Sequence, residues 1–596
     1  MSNYVAPVRE MMFAMNELAG LEEICGLPGN EEVSGDLVEA ILDEAGKFAT
    51  EVLAPINPSG DRQGNKWADG VVTTADGFKE AYSSFCETGW NGMPASTEFG
   101  GQGLPVTVST AVLEMWKSAN MSFSLCQMLT LGAVEAIAHH GSDELKNTFL
   151  PNMVAGTWTG TMNLTEPQAG SDLAAVRTKA EPRGDGSYAI SGTKIFITWG
   201  EHDMAENIIH LVLARLPDAP PGVKGISLFI APKFLVNADG SLGERNDLVC
   251  ASIEHKMGIH ASATAVMAFG EKDGAIGYLV GEPNRGLEYM FTMMNHARLN
   301  VGLEGVGISE RAYQQALGYA RERIQGKIVG DKSGEKKPIL HHPDVRRMLM
   351  DMKARTEATR AIAYYVAGCM DRAKSHTDES VRRASQSRLE LLTPVVKGWC
   401  TETAQSVTWN GIQVHGGMGF IEETGACQHM RDARITTIYE GTTAIQANDL
   451  IGRKVAREGG HAMRALLEEM TATRDALTGH SDAHLKKIGE ALGKGIDTLG
   501  EATDWLLTNY EANPQAAAAG AVPFLKLTGT VAGAWLMGRS ASIAFERMAA
   551  GDAEFYGAKL VTARYFVEHV LPEAGTYRDA IVGGAESVLA LPEALF

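Results

Sequence analysis

The chain has 596 residues, 45% hydrophobic and 21% charged, the balance of a globular protein with room for three or four domain-sized units. Its formal net charge of -20 repels phosphodiester backbones, so nucleic acid is excluded as a main partner. Seven scattered Cys with no CxxC pair argue against a disulfide framework or zinc ribbon, and Met1 to Glu10 lack the apolar core of a signal peptide, so a cytoplasmic setting is expected.

Residues 1–34 read as an N-terminal extension and 35–159 as a helical domain. Val38, Ile41, Leu42, Ala45, Phe48 and Ala49 recur at helical spacing, with Ser34 and Asp36 placed to cap the start. Gly and Pro make 92–105 a loop, and helix returns over 107–150. Near Trp158 the texture changes. Runs at 188–191, 193–198, 208–214 and 226–230 are strand-like, separated by turn signals such as Asp185-Gly186 and Asp239-Gly240. They predict a β domain over 160–284. The chain is helical again over 285–457, broken by a polar, Gly-rich loop at 326–337.

A further helical domain is predicted over 458–596. Ile488, Leu492, Ile496, Leu499, Trp505 and Leu506 keep roughly helical spacing, and Asn513-Pro514 and Pro523 divide the region into several helices. The stretch 522–536 is the most apolar, but it holds Pro523 and Lys526 and falls short of the roughly 20 apolar residues of a membrane span. A buried helix is expected there, with Gly529 and Gly533 admitting a close neighbour.

The run Ile435-Thr-Thr-Ile-Tyr-Glu-Gly-Thr-Thr443 ends an apolar, β-branched stretch on a carboxylate, Glu440. Gly441 permits a turn and Thr442 can cap a following helix. A carboxylate partly shielded from water becomes a better proton acceptor. Three other segments could meet a ligand. Thr165-Glu-Pro-Gln-Ala-Gly-Ser-Asp172 is a turn with hydroxyls and exposed N–H groups. Lys194-Ile-Phe-Ile-Thr-Trp199 is a strand with aromatics flanking Thr198. Gln413-Val-His-Gly-Gly-Met-Gly-Phe420 allows close backbone approach.

With Lys256-Met-Gly258, Arg298, Glu322-Arg323 and Arg431-Asp432 between and after them, these motifs stand in one family's order. Over roughly residues 35–455 the chain resembles the acyl-CoA dehydrogenases. The resemblance implies a mainly α fold with an inserted β domain: a helical N-terminal domain, a central β-barrel-like domain and a C-terminal four-helix bundle, followed here by an extra helical domain. It implies FAD as cofactor and conversion of an acyl-CoA to a trans-2-enoyl-CoA. Leu164, Thr165, Phe196 and Thr198 should line the flavin, with Gly170 and Ser171 near cofactor and thioester. Arg323, Gln413, Gly416 and Gly417 should hold the pyrophosphate or adenine end, across a subunit interface. Thr442 should also touch FAD.

On the substrate side the resemblance places Ser171, Arg298, Tyr439 and Gly441. Glu440 should take the α proton while the β hydrogen leaves as hydride to flavin N5, and the Glu440 N–H with a ribityl hydroxyl should hold the thioester oxygen. Some relatives carry the base just before the Arg298 position; here that residue is Ala297, which accepts no proton. Electrons should pass to an electron-transfer flavoprotein, and the protein should be a homodimer or dimer of dimers, with no metal and no stable membrane insertion.

Three features depart from the common pattern. His260 replaces a frequent Arg, the loop after Arg323 is longer and lacks an aromatic, with Gln325 near that place, and about 140 residues follow the usual family end. This extension, with the Tyr4-Val-Ala-Pro-Val-Arg-Glu-Met11 segment, resembles a bacterial branch that includes 3-methylthiopropanoyl-CoA dehydrogenases. A short acyl-CoA such as 3-methylthiopropanoyl-CoA is therefore the expected substrate. The alternatives are a broad medium- to long-chain enzyme of β-oxidation, an acyl-CoA oxidase, and a flavin-containing DNA-repair-type protein. The negative charge and a tail without a basic stripe oppose the last.

Overall fold

A computed structural model describes residues 4–549 and 551–596, so residues 1–3 of the N-terminal extension lie outside the described part. The chain forms two compact units. One comprises residues 1–46, 105–118 and 298–596; the other comprises 47–104 and 119–297.

The second unit is built on strands. An antiparallel hairpin pairs β1 (Lys66–Ala68) with β2 (Val71–Thr73). The sequence reading had assigned this stretch to helix, and the structure corrects it. Asp69 and Gly70 both take positive φ, the turn that matches strand twist, and Val71 and Val72 favour an extended backbone. The strands that follow are β3 (Trp158–Asn163), β4 (Lys179–Pro182), β5 (Tyr188–Thr198), β6 (Asn207–Ala214), β7 (Ser227–Pro232), β8 (Phe234–Val236), β9 (Leu242–Arg245), β10 (Leu248–Ile253), β11 (Thr264–Phe269) and β12 (Ala275–Val280). One sheet runs β10-β11-β5-β12-β7-β6-β3, with β4 joined to β5. All its pairs are antiparallel except β3 with β6.

The two runs predicted at 188–191 and 193–198 are a single strand, continuous through Gly192. A Cβ there would lie 2.5 Å from the Thr178 hydroxyl, so only Gly keeps the strand in line. The strands β6 and β7 are buried throughout, as their unbroken apolar texture requires. Helix Met121–His140 packs on β3. Thr130 Oγ1 accepts from the Gly160 N–H at 3.0 Å, and a Cβ on Gly160 would strike Ala133. Among the described residues this helix, not 522–536, has the length and composition to cross a membrane, and most of it is buried in the unit.

The first unit is helical. Its long elements are Pro343–Ser375, Glu379–His415 and, from Arg298 on, Gly286–Glu322. Short helices Ala426–Arg434 and Thr443–Asp449 pack on the 379–415 helix. At the N-terminal edge Ser34 Oγ accepts from the Leu37 N–H, the predicted cap. Arg360 is buried within the unit. It donates to Glu114 Oε1 at 2.6 Å and Glu310 Oε2 at 2.7 Å, while Tyr364 donates to Glu114 Oε2 at 2.8 Å.

The extra C-terminal region continues this unit with helices His461–Thr478, Ala483–Asn509, Ala521–Met548, Ala553–Tyr565 and Glu573–Gly583. Ile488, Leu492, Ile496, Leu499 and Leu506 face inward as their spacing predicts. Pro514 opens a short helix capped by Asn513, and Pro523 sits in the first turn of the next, where its missing N–H costs nothing. Gly529 and Gly533 do admit a neighbour: the Trp399 indole of the 379–415 helix lies over both. A Cβ on Gly529 would fall 2.2 Å from Trp399 Cγ. The substitution Gly529→Ala is expected to destabilise by about 2 kcal/mol, because overpacking outweighs the roughly 1 kcal/mol of helix propensity gained. A lower denaturation midpoint in urea would register it.

Candidate active site

The run leading to Glu440 is coiled, not extended. Residues Ile435–Thr437 form a 3-10 turn, and the Ile438 and Tyr439 N–H groups both donate to Ile435 O, at 2.8 and 3.1 Å. The chain then reverses through two residues of positive φ, Glu440 at 54° and Gly441 at 88°. For Glu this is a strained conformation that costs on the order of 1–3 kcal/mol and persists only under strong local restraint. The restraints are visible. Gln446 Nε2 donates to Glu440 O at 3.1 Å, and Lys397 Nζ donates to Thr436 O at 2.8 Å and Gly441 O at 2.6 Å. Thr442 Oγ1 accepts from the Ile445 N–H and caps helix Thr443–Asp449, as its place in the sequence suggested. A Cβ on Gly441 would lie 2.6 Å from Gln446 Nε2.

The Glu440 carboxyl is a poised proton acceptor. Burial pushes its pKa up to about 7, with Lys397 and Arg298 pulling downward and Glu304 upward. Burial likewise brings Lys397 down to about 8, against the pull of Glu440. The Glu440 backbone N–H has no acceptor among the described residues, so a free donor sits beside the carboxylate that would act. That pairing suits a carbon acid whose charge moves onto an adjacent oxygen.

Arg298 is buried, and its Nη1 donates to Asp449 Oδ2 at 3.2 Å, while Arg453 pairs with Asp449 Oδ1 at 2.6 Å. Ala297, beside it, is buried and inert. Tyr439 turns its hydroxyl inward to donate to Glu304 Oε2. The residues the sequence reading missed are thus Lys397, Glu304, Asp449 and Gln446. No local motif marks them; each is an unremarkable residue on a helix until the chain folds.

The predicted adenine-end residues form a separate locus in the same unit. Arg323 follows the end of the 286–322 helix, so it lies about 38 Å along the axis from Arg298. Tyr319, about one turn before Arg323, lies against His415, ring centroids 4.5 Å apart, at the end of the 379–415 helix that holds Gln413 and leads into Gly416 and Gly417. Gln413, Gly416 and Gly417 are exposed, Gly416 has φ 60°, and a Cβ on either Gly would meet open space.

The remaining candidates lie in the strand-rich unit. Lys194, buried on β5, donates to Leu164 O at 3.1 Å and Glu166 Oε1 at 2.8 Å; Glu166 also accepts from Thr178 and from the Arg177 N–H. This buried ion pair fixes the loop that exposes Gly170 and Ser171 and leaves Thr165 half-buried. The Ile195 N–H donates to Thr165 O at 2.9 Å and locks the loop onto β5. At the end of that strand Phe196 has φ 60° and is 59% exposed, with half-buried Thr198 two residues on. Neither Thr165 nor Thr198 uses its hydroxyl on another described residue. An exposed aromatic and two unused hydroxyls on one strand-and-loop surface fit a planar, hydrogen-bonding ring such as a flavin.

Family models match almost the whole chain: the acyl-CoA dehydrogenase N-terminal domain over residues 36–157, the middle domain over 161–271, the C-terminal domain over 284–455 and an acetyl-CoA dehydrogenase C-terminal-like segment over 466–592. A 3-methylmercaptopropionyl-CoA dehydrogenase from Ruegeria pomeroyi is 50% identical over 587 residues, covering 98% of this chain and 99% of its own. A butyryl-CoA dehydrogenase from Syntrophomonas wolfei is 36% identical over 100% of this chain and 99% of its own. The crystal structure of ACDH-11 from Caenorhabditis elegans, in complex with C11-CoA, shares the fold with a TM-score of 0.76 at 20% identity, over 99% of this chain and 96% of that one.

Proposed function

The chain belongs to the acyl-CoA dehydrogenase family, FAD-dependent oxidoreductases that place a double bond in acyl-CoA thioesters, and from that premise we propose that Glu440 is the base that removes the α proton. The observation that carries this reading is a carboxyl with a pKa near 7, held on a strained turn beside its own unpaired backbone N–H. A thioester α C–H is a weak acid, and its anion places charge on the carbonyl oxygen. The Glu440 N–H can donate to that oxygen while the side chain holds the proton. When bound, FAD supplies the acceptor for the hydride that leaves the β carbon. Arg298, fixed by Asp449, keeps a positive charge near the carboxylate, and Lys397 holds the loop from behind.

Leu164, Thr165, Gly170, Ser171, Phe196 and Thr198 would line the flavin and thioester. Arg323, Gln413, Gly416, Gly417 and Thr442 would hold the rest of the cofactor. Arg323 lies far along one helix from Arg298, which stands beside the base, and this separation of the adenine-end residues from the reacting carboxyl supports a homo-oligomer with shared cofactor sites. Phe420, 85% exposed beside Gly416 and Gly417, supports the same reading. Static light scattering tests it: a monomer fully loaded with FAD would contradict it. An electron-transfer flavoprotein is the proposed acceptor. The cytoplasm is the proposed location, in line with seven cysteines that are all unpaired.

For the substrate we propose a short acyl-CoA, 3-methylthiopropanoyl-CoA in particular, since the Ruegeria pomeroyi relative carries the name of that thioether acid and matches end to end. An acyl-CoA panel with dye reduction tests this. A kcat/KM maximum at short acyl chains of about four to five atoms, sulfur and carbonyl carbon included, is the expected result, and a maximum at long chains would replace it with the broad-range alternative.

The reading also fixes a pH dependence. The ionised carboxyl is the active form, so kcat/KM should fall about tenfold per pH unit below about pH 7 and level off above it. Substituting Lys397→Met removes the cation with the largest downward pull on Glu440 and should move that limb to higher pH, measurable by initial rates from about pH 5 to about pH 9.

A further inference from the structure

Behind the base lies a buried polar group that the reaction as derived does not use. Glu304, fully enclosed on the 286–322 helix, accepts from the Tyr439 hydroxyl through Oε2. Its other oxygen, Oε1, has no hydrogen-bond partner among the described residues. Lys117, also fully enclosed and on helix Val106–Ala119, has no hydrogen-bond partner for its Nζ and interacts with Glu304 by charge. A fold does not bury two ionisable groups short of hydrogen bonds without a cost. Hydrophobic residues of equal volume would pack at lower cost.

The placement suggests why they are kept. Tyr439 is the chain neighbour of Glu440, and its hydroxyl tethers the residue at which the strained turn is entered; Lys397 holds Thr436 O before it and Gly441 O after it, and Gln446 holds Glu440 O. We propose that Glu304, held between Lys117 and Tyr439, is a positioning residue that fixes both the orientation of Glu440 and the charge it faces. This rests on Glu440 being the base.

Glu440 faces Lys397 from the 379–415 helix, and Arg298 and Glu304 from the 286–322 helix. Glu304 faces Lys117, Tyr439 and Lys397. Tyr439 faces Asp432 as well as the two glutamates, and Arg298 is neutralised by Asp449 with Arg453 beyond. In this set Glu304 opposes ionisation of Glu440; burial raises the pKa of Glu304 itself, with Lys117, the Tyr439 hydroxyl and Lys397 pulling it back down.

The two contributions separate by substitution. In Glu304→Gln the amide oxygen still accepts from Tyr439, but the charge is gone. The acid limb of kcat/KM should then move down by about one pH unit, since a like charge has been removed from a shielded site. In Tyr439→Phe both carboxyls remain, and the tether is lost together with one of the groups that pull the Glu304 pKa down. There kcat should fall about tenfold with KM unchanged. Flavin content and the thermal midpoint report whether each variant folds. If Glu304→Gln does not fold, Tyr439→Phe decides alone: unchanged kcat overturns the proposal.

Glu440→Gln, run alongside, separates the two readings. Wild-type turnover in that variant would sink the base assignment and this inference with it. An inactive Glu440→Gln together with an unmoved limb in Glu304→Gln and normal kcat in Tyr439→Phe would sink the inference alone.

Discussion

Replacing Glu440 with Gln is expected to lower kcat by about 10⁴-fold, the upper range for removal of a positioned general base, while the bound-flavin absorbance is retained. The amide matches the carboxyl in size and keeps the same backbone N–H, so binding and the turn should survive. No other group can stand in. Ala297 has no proton acceptor, and Glu304 is enclosed and already engaged by Tyr439. Stopped-flow reduction of the flavin by acyl-CoA isolates the step, because it does not depend on the final electron acceptor. Reduction at the wild-type rate would remove Glu440 from the mechanism.

The same substitution carries a stability signature with a definite sign. The folded pKa of Glu440, about 7, lies above its ordinary value of 4.5. The native state therefore binds the proton more tightly than the unfolded chain does. The favourable contribution of the protonated carboxyl is fully present below about pH 4.5 and is lost as pH rises through about 7. Gln mimics the protonated form at every pH. Glu440→Gln should thus melt higher than wild type above pH 7 and converge with it in acid, a trade of stability for activity at one residue.

The second large effect is expected at Arg360→Met, a loss of about 3–5 kcal/mol in unfolding free energy. The guanidinium holds Glu114 and Glu310 together deep in the helical unit, with Tyr364 completing the Glu114 carboxylate. Its removal leaves two enclosed carboxylates facing each other without a cation. Met fills the space of the side chain stem, so the loss reports charge rather than a cavity. The double variant Arg360→Met with Glu114→Gln should recover part of it, because one of the stranded charges is gone. Urea unfolding followed by circular dichroism measures both, and an Arg360→Met protein as stable as wild type would show that the cluster is neutral in balance.

Much of the architecture was legible in one dimension. The strands β6 and β7 were visible as apolar runs bounded by turn residues, and the Ile488 to Leu506 series as a helix face. The spacing of Gly529 and Gly533 announced a close neighbour, though not that it would be Trp399. The hairpin at Lys66–Ala68 and Val71–Thr73 was overlooked although Asp69-Gly70 is a strong turn signal, because its strands are three residues each and helix surrounds them.

At the site, the order Glu440-Gly441-Thr442 by itself determined the reversal and the helix cap, since backbone preference and capping act between residues a few positions apart. The acidity of Glu440 was decided only by the tertiary structure. It depends on Lys397, Arg298 and Glu304, and on the Glu304–Tyr439 hydrogen bond that joins residues 135 positions apart. Coulomb interactions and desolvation act over a few ångströms of space irrespective of chain distance. A sequence can therefore mark the carboxylate and shape its turn, but how tightly that carboxylate holds a proton follows from which distant charges folding carries to its side.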